Sequence, residues 1–379
     1  MNYYKCNVLD SSLLNLPTWK TMSGNLISFD TSYTNNLRSC NVDISAQQAG
    51  SGDPSPSNVR AISGVDEVNI HKLGINLWDE QWELGVFDTS TGADVEASNR
   101  IRAKNKIRVK SGTYVSFHSP LSGSNEGLWV IFFDANESVV SGLSFPNSID
   151  HYGNSFMFHS STILIPQNVA YLRFYVTYQY GTTYQDDISI NASKTDTTYH
   201  AYTDTVTTVT LPETIYGGSG DLVNGNGTAV YALITLTGQE TGANYAWNSY
   251  TFTNLLFEGS NDGVRTLFCS HTKNHITGLQ MYNTSTTSDY PDAVCVSTGS
   301  NVRFRNSACT SLSDYQTWLQ QQATNGTPVQ IVAKLATPTA FTFTGANIPT
   351  LAGTNNIYAD TGDISVTAEM TLQEYINQL

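Results

Sequence analysis

Residues 100–110 have the sequence RIRAKNKIRVK, in which basic residues alternate with mostly apolar ones. Successive residues of a β-strand point to opposite faces of the sheet, so this pattern predicts one strand with two unlike faces. The intervening residues, from Ile101 to Val109, are expected to face a core. All the cations are expected on the other face: Arg100, Arg102, Lys104, Lys106, Arg108 and Lys110.

The basic face has two interpretations. It is either the solvated outer face of an amphipathic strand, whose charge discourages edge-to-edge pairing, or a dock for an acidic neighbouring chain or an anionic cell-wall polymer. The chain as a whole has 18 basic and 32 acidic residues among 379, a formal net charge of -14. This sign disfavours nucleic acid as a general partner, because neutralising phosphates requires a basic surface.

Strand-like segments recur on both sides of this stretch. LWVIFF, at 128–133, is apolar at every position and predicts a central strand that is covered on both faces. Segments at 155–165 and 171–180 follow at roughly the 8–12-residue spacing of β-sandwiches. No apolar run approaches the roughly 18 residues of a membrane span. We therefore expect an all-β protein without membrane insertion.

The chain is expected to form two antiparallel jelly-roll sandwiches, whose terminal strands pack close together. The first sandwich is placed at 78–203 and the second at 230–343. N-terminal strands and a Pro/Ser/Gly segment precede them at 1–77, a connector lies at 204–229, and closing strands with a short tail occupy 344–379. Within the connector, the NGNG run predicts a tight turn.

Two shorter segments have local signals of their own. One helix is predicted at 313–324, where Ser313 and Gln316 match a capping box and Tyr315, Trp318 and Leu319 form an apolar stripe. QQAGSGDPSPSNVR, at 47–60, is either an extended linker or a loop pinned by turns.

A second candidate site is aromatic and lies in YLRFYVTYQYGTTY, at 171–184. One strand face is expected to enter the core with Leu172, Phe174, Val176, Tyr178 and Tyr180. The opposite face carries Tyr171, Arg173 and Tyr175, whose planar rings beside a guanidinium would suit stacking on sugars. The alternative for these three is packing against cross-strand partners. Trp129 and Trp318 are assigned to the core.

The chain has no recognisable nucleophile, phosphate-binding or zinc-protease motif, and no cofactor is expected. Oxygen side chains at Asp88, Ser90, Asp94 and Glu96 leave a structural calcium ion as an alternative to an ordinary turn. His271 and His275 are interpreted as surface or turn residues and not as a metal site. The five cysteines are expected to be reduced and mostly buried.

Several stretches resemble tail-associated structural proteins of phages and prophages of Gram-positive bacteria. LRSCNVDISAQQAGSGDPSPSNVRAISGVDEV, at 37–68, followed by LGINLW, is similar to the lead-in of that family. Residues 100–117, 128–142 and 165–191 resemble its jelly-roll module, and LPETIYGGSGDLVNG resembles its connector. The most specific match is the closing pattern, which here comprises YQTWLQQQ, VQIVAKLATPTAFTF and LAGTNNIYADTGDISVT.

This resemblance implies a non-enzymatic virion component, such as a tail, fibre or receptor-binding accessory protein, with modules like carbohydrate-binding modules. The expected partners are other virion proteins and host cell-wall or capsular glycans, and analogy with fibres adds a homotrimer. Virion localisation accords with an N-terminus that lacks the pattern of a signal peptide. The alternatives are a structural adaptor or decoration protein that binds only virion neighbours and, less favoured, a glycan-degrading enzyme with two carboxyl groups in a cleft.

Overall fold

The computed structural model describes residues 13–148, 150–283 and 289–377. Strands account for 45% of the structure and helices for 9%, far from the helix share of about a third in average globular proteins. The expected all-β class is therefore confirmed. Among the described residues, no helix is long and apolar enough to span a membrane.

The described residues divide into two compact units. Unit 1 holds those within 1–41, 69–208 and 346–379, and unit 2 holds those within 42–68 and 209–345. Each predicted sandwich lies inside one unit, whereas the N-terminal segment contributes to both.

The strands are numbered in chain order. The first fifteen are β1 (Pro17–Gly24), β2 (Ile27–Thr31), β3 (Ser39–Ser45), β4 (Gln47–Gln48), β5 (Ile62–Ser63), β6 (Val65–Leu73), β7 (Trp82–Leu84), β8 (Val86–Phe87), β9 (Asp94–Val95), β10 (Ile101–Ala103), β11 (Ile107–Arg108), β12 (Tyr114–His118), β13 (Leu128–Phe133), β14 (Asp150–Tyr152) and β15 (Ser155–Phe158). The others are β16 (Ser161–Leu164), β17 (Tyr171–Val176), β18 (Ser189–Asn191), β19 (Asp204–Ile215), β20 (Gly217–Asp221), β21 (Asn226–Leu236), β22 (Asn244–Ala246), β23 (Ser249–Thr253), β24 (Thr266–Cys269), β25 (Ala293–Ser297), β26 (Asn301–Arg305), β27 (Val329–Thr342), β28 (Gly353–Ala359) and β29 (Ile364–Thr371). The helices are α1 (Gly278–Tyr282), α2 (Leu312–Thr324) and α3 (Leu372–Asn377), and 3₁₀ turns lie at Leu13–Asn15, Tyr178–Tyr180 and Thr298–Ser300.

Unit 1 contains a β-sandwich. One sheet has the order β14-β15-β13-β17-β10-β7, with β11 also paired to β17, and the other has the order β16-β12-β18. Phe117 and Ile190 of the smaller sheet share one buried cluster with Val130 and Phe174 of the larger sheet. The larger sheet therefore has an inner face, which is buried in this core, and an outer face on its other side.

The central strand β13 is covered on both faces, as its sequence predicts. Leu128, Val130 and Phe132 belong to the core between the sheets. Ile131 and Phe133 lie in a second cluster on the outer face. Because both faces are buried, every position of this strand favours an apolar side chain.

The terminal strands of the chain are neighbours in unit 1, as expected. β1 and β29 pair antiparallel over eight residues, with Pro17 opposite Thr371 and Gly24 opposite Ile364. Helix α3 follows β29 directly and lies in the short tail of the predicted C-terminal segment 344–379.

Unit 2 has two further sheets and the longest described helix. β20, β21, β27 and β24 are hydrogen-bonded in that order, as are β22, β23, β26 and β25. The β20–β21 hairpin has Asp221 opposite Asn226, which confirms the tight turn predicted by the NGNG run. Gly225 is required there, because its φ is +68° and an added Cβ would lie 2.3 Å from the Phe343 carbonyl oxygen.

Helix α2 confirms the helix predicted at 313–324, but its N-cap lies two residues earlier than expected. The Ser311 side chain accepts the backbone N–H of Asp314, so the capping box predicted at Ser313 is wrong. Tyr315 and Leu319 are buried in the unit 2 core and Trp318 packs against it, as the apolar stripe predicts.

Residues 47–60 form a closed loop and not an extended linker. The Arg60 guanidinium donates hydrogen bonds to the backbone carbonyls of Gln48, Ala49, Gly50 and Gly52, at 2.6–3.0 Å. One side chain thus supplies hydrogen-bond donors to four backbone carbonyls of the loop.

The expectation for the cysteines is confirmed where the structure describes them. Cys40, Cys269, Cys295 and Cys309 are buried thiols. Cys6 lies outside the described residues.

Candidate functional site

The basic segment 100–110 has the predicted alternation but is not one continuous strand. Ile101, Ala103, Ile107 and Val109 are buried in the core of unit 1, as expected. The strand breaks between β10 and β11, because the Arg173 side chain donates to the carbonyl oxygens of Ala103 and Lys104, at 2.8–3.1 Å. Those carbonyls are therefore bonded to a side chain and not to the backbone of β17.

The outer face of the larger sheet is half covered. The β8–β9 hairpin places the Phe87 ring 4.4 Å from the Arg173 guanidinium carbon and 5.9 Å from that of Arg102. Arg102 donates to Glu83 Oε1 at 2.8 Å, and Arg173 donates to Asp94 Oδ1, also at 2.8 Å. Both arginines are buried, so the predicted solvated cationic face is wrong at this point.

The remaining cations of segment 100–110 have separate environments. Lys104 is exposed, and Lys106 pairs with Glu137 at 2.6 Å. The Arg108 guanidinium lies 5.5 Å from the Tyr171 ring and 4.8 Å from the Tyr358 ring. Burial is the main cause that lowers the pKa of Lys110, and the positive charge of the nearby Lys20 lowers it further. The structure therefore does not bring the six cations together as one linear patch.

A small cavity adjoins the C-terminal half of segment 100–110. It has a volume of about 250 Å³ and is lined by Asp79, Asn105, Lys106, Arg108, Tyr202 and Tyr358, among others. Lys106 is paired with Glu137, and the Asn105 amide donates to Asp79 at 2.7 Å. Much of its polar lining is thus already satisfied within the protein.

The other half of the outer face holds an aromatic row, in which Trp129 is half-buried and Tyr175 is buried. In the sheet register, Asp150 is opposite Met157, Met157 is opposite Trp129, and Trp129 is opposite Tyr175. Residues that are directly opposite in an antiparallel sheet project from the same face. The Trp129 and Tyr175 rings are stacked at 6.1 Å with an interplanar angle of 11°.

A cleft of about 340 Å³ opens over this row, and we call it the aromatic cleft. Its lining comes from β13, β14, β17, the segments that adjoin them in the chain, and the residue before β10: Arg100, Asn125, Trp129, Asp150, His151, Tyr152, Tyr175, Thr177 and Tyr178. Tyr152 and Tyr178 are 71% and 59% exposed. Large exposed aromatic rings beside hydrogen-bonding groups are typical of a binding site, because a ligand that covers the rings removes their apolar surface from water.

The polar groups of the aromatic cleft are one cation, one carboxylate and several neutral donors. The Arg100 guanidinium lies over the Tyr175 ring at 5.9 Å. Burial raises the pKa of the Tyr175 phenol, and Arg100 partly opposes this, so the phenol remains a protonated donor at neutral pH. Asp150 is the one carboxylate among the described residues that line the cleft.

Several sequence assignments change at the aromatic cleft. Tyr178 was expected in the core with Tyr180, but β17 ends at Val176 and the 3₁₀ turn that follows exposes Tyr178 while Tyr180 is buried. Trp129 was also assigned to the core, whereas it lies on the outer face. Of the predicted ligand residues, Arg100 and Tyr175 line the cleft; Tyr171 and Arg173 do not.

The sequence gives little sign of the other cleft residues. Asn125, Asp150 and Tyr152 come from loops and an edge strand that were not predicted. A signal was present for Tyr178, since Gly181 follows it closely and a Gly at this distance marks the end of a strand.

The candidate metal ligands have other roles in the described residues. Asp88 Oδ1 accepts from the backbone N–H groups of Ser90 and Thr91, and Asp94 pairs with Arg173. His271 is buried against Ser270 and not at the surface, and His275 contacts Thr266. Within the described ranges, no group of three or more histidine, cysteine or acidic side chains is arranged to hold a metal ion.

No protein-family model, curated protein or solved structure matches this chain.

Proposed function

We propose that this protein is a non-enzymatic phage virion component whose aromatic cleft binds glycans of the host surface. The phage assignment is supported by the sequence resemblance of the lead-in, module and closing segments. The glycan assignment is supported by a single structural observation, the exposed Tyr152 and Tyr178 rings that flank the Trp129–Tyr175 row.

This arrangement suits sugar binding for physical reasons. A pyranose ring has apolar C–H faces and a rim of hydroxyl groups. The aromatic faces can cover the former, while Asn125, Asp150 and the Tyr175 phenol can hydrogen-bond to the latter. Pockets with an aromatic lining and a few polar groups combine affinity with orientation in this way. Weak individual sites become effective when many copies on one particle bind at once.

Binding is favoured over hydrolysis at this site. A glycosidase uses two carboxyl groups, about 5–10 Å apart, on either side of the scissile bond. The aromatic cleft offers Asp150 as the one carboxylate from its described lining.

The test is a glycan array of cell-wall and capsular oligosaccharides, probed with the full-length protein. Replacing Tyr152 and Tyr178 together with alanine should reduce binding about 5- to 150-fold, because each aromatic contact contributes about 0.5–1.5 kcal/mol and the two together about 1–3 kcal/mol. Tyr114→Ala is the matched control, since Tyr114 is 39% exposed in the same unit but lies on the smaller sheet. Its binding should equal that of the wild type.

Two results would contradict the proposal. The first is a wild-type protein that binds no oligosaccharide at millimolar concentration. The second is binding that is unchanged in the Tyr152→Ala, Tyr178→Ala variant while its circular dichroism and melting temperature match the wild type.

A purely structural role, as an adaptor that binds virion neighbours, is the second candidate. It is favoured by Leu255 and Leu256, adjacent side chains in unit 2 that are 79% and 51% exposed. Adjacent exposed leucines are typical of a protein interface. Leu255→Ser, Leu256→Ser should then lower the amount of protein incorporated into phage particles, measured by quantitative mass spectrometry. Unchanged incorporation would count against this candidate.

A further inference from the structure

Arg100 differs from Arg102 and Arg173, which lie on the same outer face of the larger sheet. Arg102 and Arg173 are held by the carboxylates of Glu83 and Asp94 and by backbone carbonyls. Arg100 has the Tyr175 ring as its nearest described aromatic neighbour, at 5.9 Å. Its Nε is buried without a hydrogen-bond partner, and no ion pair joins Arg100 to a described carboxylate.

A ligand in the aromatic cleft would change the hydration of this cation. Arg100 lines the cleft, so a sugar stacked on Tyr152 or Tyr178 removes water from the guanidinium. Removing water from an unpaired charge is costly, whereas a charge that gains an anionic partner recovers that cost. A neutral ligand therefore loses affinity at this position, and a ligand with an anion beside Arg100 does not.

The other charged group facing the cleft is Asp150. Its Oδ1 accepts the backbone N–H of His151 at 2.8 Å, and it forms no ion pair with Arg100 among the described residues. Asp150 would repel an anion placed next to it but accepts hydrogen bonds from sugar hydroxyls. The two residues thus give the cleft a direction, with the anionic end of the ligand at Arg100 and hydroxyl groups at Asp150.

We infer that the aromatic cleft selects glycans that carry an anionic substituent, a carboxylate or a phosphate, and that Arg100 binds this substituent. Both groups present paired oxygen acceptors that match the planar fork of a guanidinium. The inference rests on the proposed function, since it names the class of glycan bound at the same site.

The experiment compares ligands that differ in one charge. Isothermal titration measures the affinity of the full-length protein for a uronate-containing oligosaccharide and for the same oligosaccharide with its carboxyl groups reduced to alcohols. A short poly(glycerol phosphate) is the second anionic probe. The wild type should bind at least one anionic probe at least tenfold more tightly than the reduced oligosaccharide, and the better probe identifies the substituent.

Arg100→Gln should abolish this preference, because the affinity for the better anionic probe should fall at least tenfold. Lys104→Gln is the matched control, because it removes one positive charge from an exposed residue of the same segment. It should retain the preference. Equal losses in both variants would show a general effect of net charge and overturn the inference.

Failure of the inference and failure of the proposed function are distinguishable. If the Tyr152→Ala, Tyr178→Ala variant loses both ligands while Arg100→Gln keeps the wild-type preference, the cleft binds glycans but the role of Arg100 is refuted. The role of Arg100 is also refuted if the wild type binds glycans in the cleft without a preference for the anionic probes. If the tyrosine variant binds every probe as well as the wild type does, the proposed site itself is wrong.

Discussion

Replacing Arg102 with glutamine should destabilise unit 1, whereas the same replacement at Lys104, two residues away, should not. Arg102 is 4% exposed and donates to Glu83 Oε1 at 2.8 Å, to the Val86 carbonyl at 2.7 Å and to the Val95 carbonyl at 3.1 Å. These bonds attach the β8–β9 hairpin to the sheet. Lys104 is exposed.

The size of the effect follows from these contacts. Removing one partner of a buried ion pair costs about 3–5 kcal/mol. The side chains of Glu83 and Asp94 are 35% and 51% exposed, so water can rehydrate both carboxylates after the substitution. We therefore expect a loss of about 2–3 kcal/mol for Arg102→Gln, at or below the lower end of that range, and less than about 0.5 kcal/mol for Lys104→Gln.

The assay is urea unfolding followed by circular dichroism and tryptophan fluorescence, together with thermal melting. For a unit of this size, the expected loss lowers the melting temperature by about 5–10 °C. Because both substitutions remove one positive charge, a difference between them reports on burial and not on net charge. Equal midpoints for the two variants would refute the assignment of Arg102 to a covered ion-pair cluster.

Three further predictions concern unit 2 and the cysteines. Burial raises the thiol pKa of Cys269 and Cys295 to about 12 and that of Cys309 to about 11. These thiols should therefore react with iodoacetamide at pH 8 only after unfolding, as measured by peptide mass spectrometry. Rapid labelling of the native protein would contradict their burial. Burial lowers the pKa of His275 to about 4 from 6.5, and since the unfolded chain then binds the proton more readily, stability should fall as the pH drops from about 6.5 to about 4. His275→Gln should make the urea midpoint less sensitive to pH across that window, and an unchanged sensitivity would contradict the shift. Arg60→Ala should accelerate hydrogen exchange across residues 47–60 at least tenfold, whereas Lys273→Gln, which breaks the exposed pair with Asp53, should not; equal exchange in both variants would contradict the role of Arg60 in closing the loop.

Segments with a strong local pattern could be predicted from the sequence. The bounds of β13 agree with the apolar run at 128–133, because burial on both faces leaves little room for polar residues there. The predicted helix at 313–324 agrees with α2 to within one residue, since its apolar stripe and the Asn-Gly that follows are local signals. The alternation in 100–110 also assigned Ile101, Ala103, Ile107 and Val109 to the core correctly, whereas Asn105, at the break between β10 and β11, is exposed.

The outer face could not be predicted from alternation alone. Period-two spacing shows which residues share a face of a strand, but it does not show what covers that face. Here the β8–β9 hairpin covers Arg102 and Arg173 and also contacts Tyr175, while Arg100 stays partly exposed. The buried Arg173 also interrupts the strand predicted at 100–110, because it binds the carbonyl oxygens of Ala103 and Lys104.

The aromatic cleft could not be predicted from the sequence for a related reason. Besides Arg100, Trp129 and Tyr175, its lining is drawn from the loop before β13, from the edge strand β14 and from the turn after β17. These segments come together through sheet register, which depends on contacts between residues that are distant in the chain. Tyr152 and Tyr178 have no common pattern in the sequence that would group them.

The central claim, that the aromatic cleft binds glycans, is tested most directly by a crystal structure of the protein with the tightest array ligand, at a concentration near its dissociation constant. We predict a sugar ring in van der Waals contact, about 4 Å, with the ring of Tyr152 or Tyr178, and an anionic group within about 3 Å of the Arg100 guanidinium. A ligand bound on another surface, or an empty aromatic cleft in crystals of a protein that binds the same ligand in solution, would contradict the claim.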